Sequence, residues 1–139
     1  MSQINWKRVL LAGLAAGLLS NALGITYAHF VMGDVVERLM RERNLTFGPE
    51  VAALHLTSRF ALGVFIVWMY AAVRPRFGPG PRTAAIVGAA VWLFTYTFSL
   101  LNNLPWKTFP PDVIFKSIAF AFLETALCAQ LGGWLYREP

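Results

Sequence analysis

The sequence predicts an all-α protein, a bundle of four transmembrane helices with a short amphipathic interfacial helix in the first loop. The chain of 139 residues is 57% hydrophobic and only 14% charged, and its mean hydropathy is +0.54, which is too apolar for a soluble domain. Continuous apolar runs, each close to the ~20 residues that a membrane-spanning helix needs, account for most of the sequence. They cover about 9–31, 51–73, 84–104 and 113–136.

These runs leave no stretch for a separate soluble domain, so residues 1–139 are expected to form a single integral membrane domain. The net charge of +5 comes from basic residues at the ends of the runs, a pattern typical of membrane topology signals and not of nucleic-acid binding. The sequence contains no Ser-His-Asp grouping, no Gly-rich phosphate loop and no His-Glu-x-x-His motif. It therefore gives no reason to predict an enzyme.

Basic residues at the two ends of the predicted helices indicate how the chain is oriented. One side carries six of them: Lys7, Arg8, Arg74, Arg76, Arg82 and Arg137. The other side carries four or five: Arg38, Arg41, Arg43 and Lys107, with Lys116 just inside the fourth run. Because the more basic side of a membrane protein faces the cytoplasm, we expect a multi-pass protein with both termini cytoplasmic.

The first helix carries a stripe of small residues at spacings of three and four, which includes Gly13, Gly17 and Gly24. Small residues let helix backbones approach closely in lipid, where packing must drive association. We expect the stripe to pack against another helix of the same bundle, and a homodimer seam is the alternative.

The two loops that follow the first and second runs have contrasting sequences. Loop 32–50 places Val35, Val36, Leu39 and Met40 at helical spacing, which predicts the interfacial helix. It ends in a break before Pro49, which suits the first turn of a helix. Loop 74–82 contains three prolines and two glycines, and is expected to be a tight non-helical hairpin.

Arg59 lies inside the second apolar run, so it needs a partner from another helix. Each helical residue adds ~1.5 Å in depth, and counting from the inner basic residues places Glu124 of the fourth run at the level of Arg59. Asn21 and Thr95 fall at that level too. We therefore expect a buried Arg59–Glu124 ion pair, with Asn21 and Thr95 able to form hydrogen bonds to it.

A second polar level lies roughly 10 Å farther out on the same helices. Two interpretations of the polar residues remain open, a structural lock that fixes helix register and a polar pocket open to the outside. The predicted pocket comprises Asn21, His29, His55, Thr95, Asn102, Asn103 and Lys116.

His29 and His55 fall at nearly one depth on neighbouring helices. Such a pair could ligate a haem iron or a pigment, although the cofactor itself remains unknown. A third ligand at that level is missing from the pattern, so no metal site is predicted.

Three stretches, at the two ends of the chain and in its second loop, resemble those of a known group of proteins. They read Asn5-Trp6-Lys7-Arg8, Arg74-Pro75-Arg76-Phe77-Gly78-Pro79-Gly80-Pro81-Arg82-Thr83 and Gly133-Trp134-Leu135-Tyr136-Arg137-Glu138. With these motifs the chain resembles small bacterial four-transmembrane-helix proteins of unassigned function. The resemblance implies a location in the bacterial inner (plasma) membrane, and it implies no activity and no catalytic residues.

Three functions are compatible with these patterns. The first is a structural or accessory subunit that packs in the lipid bilayer as a homo-oligomer or within a larger membrane complex. The second is an outward-facing module that binds or transports a small molecule. The third is a haem, quinone or pigment-binding membrane protein.

Overall fold

The computed structural model describes residues 4–136, which form helices and no strands. The helical segments, in chain order, are α1 (Trp6–Tyr27), a π-helical turn (Ala28–Met32), α2 (Gly33–Glu42), α3 (Pro49–Phe77), α4 (Pro81–Val91), a second π-helical segment (Trp92–Thr97), α5 (Phe98–Leu101) and α6 (Pro111–Leu135). Arg137, one of the six basic residues on the predicted cytoplasmic side, and Glu138 lie outside the described residues.

Three of the continuous helical stretches are long and apolar enough to cross a membrane: Trp6–Glu42, Pro49–Phe77 and Pro81–Leu101. Pro49 occupies the first turn of α3, as the sequence predicts, because its missing N–H would be unpaired there in any case. The prediction of an all-helical protein with membrane-spanning segments is confirmed to this extent.

The helices differ from the predicted boundaries at two places. The π-helical turn joins α1 to α2, so the loop helix continues the first span without a break. The prediction that the whole of 74–82 is non-helical is wrong, because α3 runs through Pro75 to Phe77. Pro75 removes one backbone donor and keeps a helical φ, and the helix closes again after it with Gly78 N donating to Arg74 O over 2.8 Å.

The turn itself is confined to the three residues after α3. Gly78 has φ +81° and Gly80 has φ +126°, conformations that residues with a Cβ rarely adopt. Tyr70 of α3 accepts a hydrogen bond from the Gly80 amide at 2.9 Å. The start of α1 and the end of α6 lie together, since the backbone N–H of Asn5 donates to the Tyr136 hydroxyl at 3.3 Å. The turn lies beside them, because Tyr70 also packs edge-on against the Tyr136 ring, with ring centroids 6.2 Å apart. We call this the basic end of the bundle, and the opposite end, with loops 43–48 and 102–110, the loop end.

Most of the buried apolar residues lie toward the basic end, where α1, α3, α4 and α6 pack together. α6 contacts α1, α3 and α4, and α1 contacts α3 along much of its length. The buried apolar cluster there is Val9, Ala12, Ala16, Ile66, Val67, Tyr70, Ala71, Ala84, Val87, Val91, Cys128, Ala129 and Tyr136. Toward the loop end, in contrast, none of residues 49–62 of α3 is buried, and residues 52–58 are all exposed. The part of α3 on the loop side of Gly63 is therefore poorly covered by the other helices, whereas α1 and α6 stay in contact there through Tyr27, which stacks on Phe120.

Candidate functional site

The crossing of α1 and α3 is built from glycines of both helices. A Cβ placed on Gly13 would lie 2.5 Å from Val64 Cα, and one on Gly17 would lie 2.7 Å from Phe60 Cα. A Cβ on Gly63 would in turn collide with backbone atoms of both α1 glycines. The predicted small-residue stripe thus packs on α3 of the same chain, as small residues do where backbones approach in lipid.

This crossing brings Arg59 of α3 to Ser20 of α1 and Glu124 of α6. Arg59 Nη1 forms an ion pair with Glu124 Oε1, and the same nitrogen donates to the Ser20 carbonyl at 2.9 Å and to Ser20 Oγ at 3.1 Å. Ser20 Oγ donates its own hydrogen to Glu124 Oε1 over 2.5 Å. We call Ser20, Arg59 and Glu124 the charge cluster.

Burial differs between the two charges of the cluster. The Glu124 side chain is only 1% exposed, whereas the Arg59 side chain is 25% exposed. A carboxylate so deeply buried needs a cation and hydrogen-bond donors to remain charged, and Arg59 and Ser20 supply both. Gly24 makes room for the guanidinium, because a Cβ there would collide with Arg59 Cζ and both terminal nitrogens.

The other two nitrogens of the Arg59 guanidinium, Nε and Nη2, form no hydrogen bond within the described part of the chain. All of its hydrogen bonds to residues 4–136 are made by Nη1. Nε and Nη2 carry three more N–H groups, and neither is among the buried atoms that lack a partner. These two nitrogens are therefore accessible, on a side chain anchored at its other edge.

Asn21 and Thr95, predicted to form hydrogen bonds to the ion pair, are placed differently. Asn21 is 4% exposed, and its Nδ2 donates to Gly17 O at 3.0 Å and to Leu56 O at 3.3 Å, which links α1 to α3. Thr95 is exposed. Within residues 4–136 neither residue forms a hydrogen bond to Arg59 or Glu124, since neighbouring positions of a helix point ~100° apart.

Ser20 is the hydrogen-bonding residue that the depth count missed. A signal for it was present in the sequence: Ser20 follows Gly17 by three residues and precedes Gly24 by four, so it lies on the packing stripe of α1. A hydroxyl on a face that must meet another helix is a natural partner for a buried charge.

Tyr96 is a further residue of this region that no motif indicated. It is partly buried and interacts electrostatically with Glu124 and Arg59. The π-helical segment that carries it is held to α6 by Trp92, whose Nε1 donates to Ile118 O at 2.8 Å. π-Helical turns shift the register of the following side chains, and they often occur at functional sites.

The outer polar residues lie mainly on the surface. His29, His55, Asn102 and Lys116 are exposed, and Asn103 is half-buried. Lys116 pairs with Asp112 one turn before it at 3.1 Å, and its hydrogen bond lowers the pKa of the Asp112 carboxyl, which precedes the apolar run of α6. Asn103 Nδ2 donates to Ser99 O of its own helix at 2.8 Å.

None of the seven residues of the predicted polar pocket lines either of two cavities in the bundle. One, of about 580 Å³, lies at the basic end beside Tyr70, Gln130 and Trp134. The other, of about 530 Å³, lies at the loop end between α2 and residues 104–111. That these seven polar residues surround one ligand therefore stays a prediction.

Ligation of a haem or pigment by His29 and His55 also stays a prediction. Both imidazoles are exposed, and His29 packs edge-on against Phe30 with ring centroids 4.8 Å apart. Within residues 4–136, no group of three or more His, Cys, Asp or Glu residues is arranged to hold a metal ion. The absorption spectrum of the purified protein tests the haem and pigment hypothesis.

The fold and the charge cluster define the class of protein: an all-helical protein with three helices able to span a membrane, in which a buried carboxylate of α6 joins α1 and α3. No known protein family, no curated protein and no solved structure matches the chain.

Proposed function

We propose that the chain is a small four-pass protein of the bacterial inner membrane that acts as a structural or accessory subunit, its bundle held by the Arg59–Glu124 pair. The main support for this proposal is that the Glu124 side chain is only 1% exposed and its carboxylate contacts Arg59 and Ser20. The cluster ties three helices together and keeps the Glu124 side chain almost fully buried, which suits a structural role better than proton exchange or catalysis.

A fourth pass through α6 is supported by its length and its position. Its 25 residues extend about 37 Å at 1.5 Å each, enough for the ~30 Å hydrocarbon core. The Asn5–Tyr136 hydrogen bond supports an even number of passes, with both ends of the described chain on one side. The excess of basic residues at that end favours the cytoplasm.

An interfacial position for α2 is supported by the division of its surface. Val35, Val36, Leu39 and Met40 are half-buried, while the charged residues of α2 are exposed. Arg41 and Glu37 pair one turn apart at 3.1 Å on the exposed face. A helix with this distribution suits the boundary between lipid and water.

The surface available to a partner subunit is the outer face of α1. Leu11, Leu14, Leu18 and Ile25 are each about half exposed or more, and lipid or a partner helix must cover them. The glycine stripe is already occupied by α3. We therefore propose that any homo-oligomer or larger complex forms through this exposed apolar face of α1.

Co-purification in mild detergent, followed by native mass spectrometry, tests the accessory role. A partner protein or a defined oligomer is expected. The double change Leu14→Ala and Leu18→Ala should weaken this association. Leu54→Ala, the same substitution at an exposed position of α3, should leave the association unchanged. A stable monomer that carries no partner would contradict the role.

Labelling of single cysteines in loops 43–48 and 102–110 from the outside, in a Cys128→Ser background, tests the four-pass topology.

A second function, binding of a small molecule from the outer side, is favoured by one observation. Arg59 is 25% exposed at the base of the part of α3 that is not buried, residues 49–62. A water-filled opening there would expose His55, one turn farther out than Arg59. His55→Cys should react with a membrane-impermeant maleimide, whereas Leu18→Cys, also exposed in the structure and expected to face lipid, should not. Equal protection of both cysteines would exclude the opening.

A further inference from the structure

The guanidinium of Arg59 is divided into a bound edge and an open edge. Its Nη1 is held by Glu124 and by two oxygens of Ser20, which fixes the plane of the group. Nε and Nη2 form no hydrogen bond to the described residues. They lie side by side on one edge of a planar group, and such an edge matches the two oxygens of a carboxylate.

The surroundings decide what this open edge can hold. Glu124 already balances the charge of Arg59, so the cluster attracts anions weakly at long range, and recognition must rest on two parallel hydrogen bonds. A monoanion costs less to bring to this depth than a dianion, because each charge loses its hydration. These conditions favour a monocarboxylate over a phosphate.

We propose that the Nε and Nη2 edge of Arg59 is a binding site for a monocarboxylate that enters along the outer part of α3, residues 49–62, none of which is buried. The inference rests on the second function proposed above, the opening toward the outer side. The carboxylate can belong to a fatty acid that enters from the bilayer or to a small acid that enters from water.

The site is tested with the full chain in detergent by native mass spectrometry, with palmitate and hexadecanol as one pair of probes and benzoate and benzyl alcohol as the other. Binding of palmitate without hexadecanol supports a bilayer source, and binding of benzoate without benzyl alcohol supports a water source. Arg59→Lys keeps a cation beside Glu124 and removes the planar edge, so the bound acid should fall at least about tenfold, the loss of one charge-assisted hydrogen bond. Binding of neither acid, or equal binding by Arg59→Lys, would overturn the proposal.

A second measurement keeps the test independent of whether Arg59→Lys folds. The Nε–H resonance of Arg59 in the wild-type protein should move on addition of the acid that binds and stay unchanged with the matching alcohol. An unchanged resonance with both acids overturns the site. A His55→Cys protein that reacts with maleimide while neither acid binds would show that the opening exists and that the ligand class is wrong.

Discussion

Gly24 of α1 lies directly against the guanidinium of Arg59, at a position where any Cβ would collide with Cζ, Nη1 and Nη2. The missing side chain of one helix thus provides the space for a charge carried by another. Sequence patterns present Gly24 as one of several packing glycines, and the structure gives it a role of its own in seating the ion pair.

Replacing this glycine should loosen the charge cluster. Gly24→Ala must push the guanidinium away from Ser20 and Glu124, and a buried group that loses its hydrogen-bond partner costs ~1–3 kcal/mol. The free energy of unfolding in mixed detergent micelles measures the loss. Gly33→Ala is the matched control, because its Cβ would meet only Ala28 O at 3.7 Å, and equal effects of the two changes would contradict the proposed contact.

The two charges of the pair should depend on each other. Glu124→Gln leaves Arg59 without its counter-ion and should lower the free energy of unfolding by ~2–4 kcal/mol. Adding Arg59→Gln to the same chain removes the orphaned charge and should restore part of that loss. A double-mutant cycle in detergent measures the coupling. A double variant no more stable than Glu124→Gln would show that the pair does not stabilise the bundle.

Ser20 should contribute through its hydroxyl and not through its size. Ser20→Ala removes the hydrogen bond to the Glu124 carboxylate, and bonds to charged groups contribute ~1.5–3 kcal/mol. Ser58 provides the comparison, since it is exposed and, among the described residues, its hydroxyl bonds only to His55 O of its own helix. Ser58→Ala should leave the unfolding midpoint nearly unchanged, and a similar loss in both variants would be the contrary result.

The α1–α3 crossing should tolerate no added methyl group on its inner face. Gly63→Ala would drive a Cβ into backbone atoms of Gly13 and Gly17, which cannot move as a flexible side chain can. A loss of more than ~1 kcal/mol is expected, measured by thermal unfolding in detergent. Ala61→Gly, on an exposed position of the same helix, measures the helix-propensity difference of ~1 kcal/mol, which favours alanine and therefore opposes the loss expected of Gly63→Ala. An unaffected Gly63→Ala protein would show that the helices are farther apart.

The sequence by itself determined the helical class, the approximate lengths of the apolar segments and the depth that Arg59 shares with Glu124. These properties follow from hydrophobic length and from the fixed rise of ~1.5 Å per residue, which require no knowledge of neighbouring helices. The continuity of α1 with α2 and the helical course of α3 through Pro75 were not determined, because a π-helical turn and a tolerated proline depend on local packing.

Only the tertiary structure decided which side chains meet at the shared depth. Each residue turns a helix by ~100°, so Ser20 and Asn21 lie at almost one level and face different helices. Ser20 reaches the charges while Asn21 binds the backbone of α3, and Thr95 remains outside. Rotation about the helix axis is set by the fit of α1 against α3 and α6, and that fit exists only once the three helices are packed.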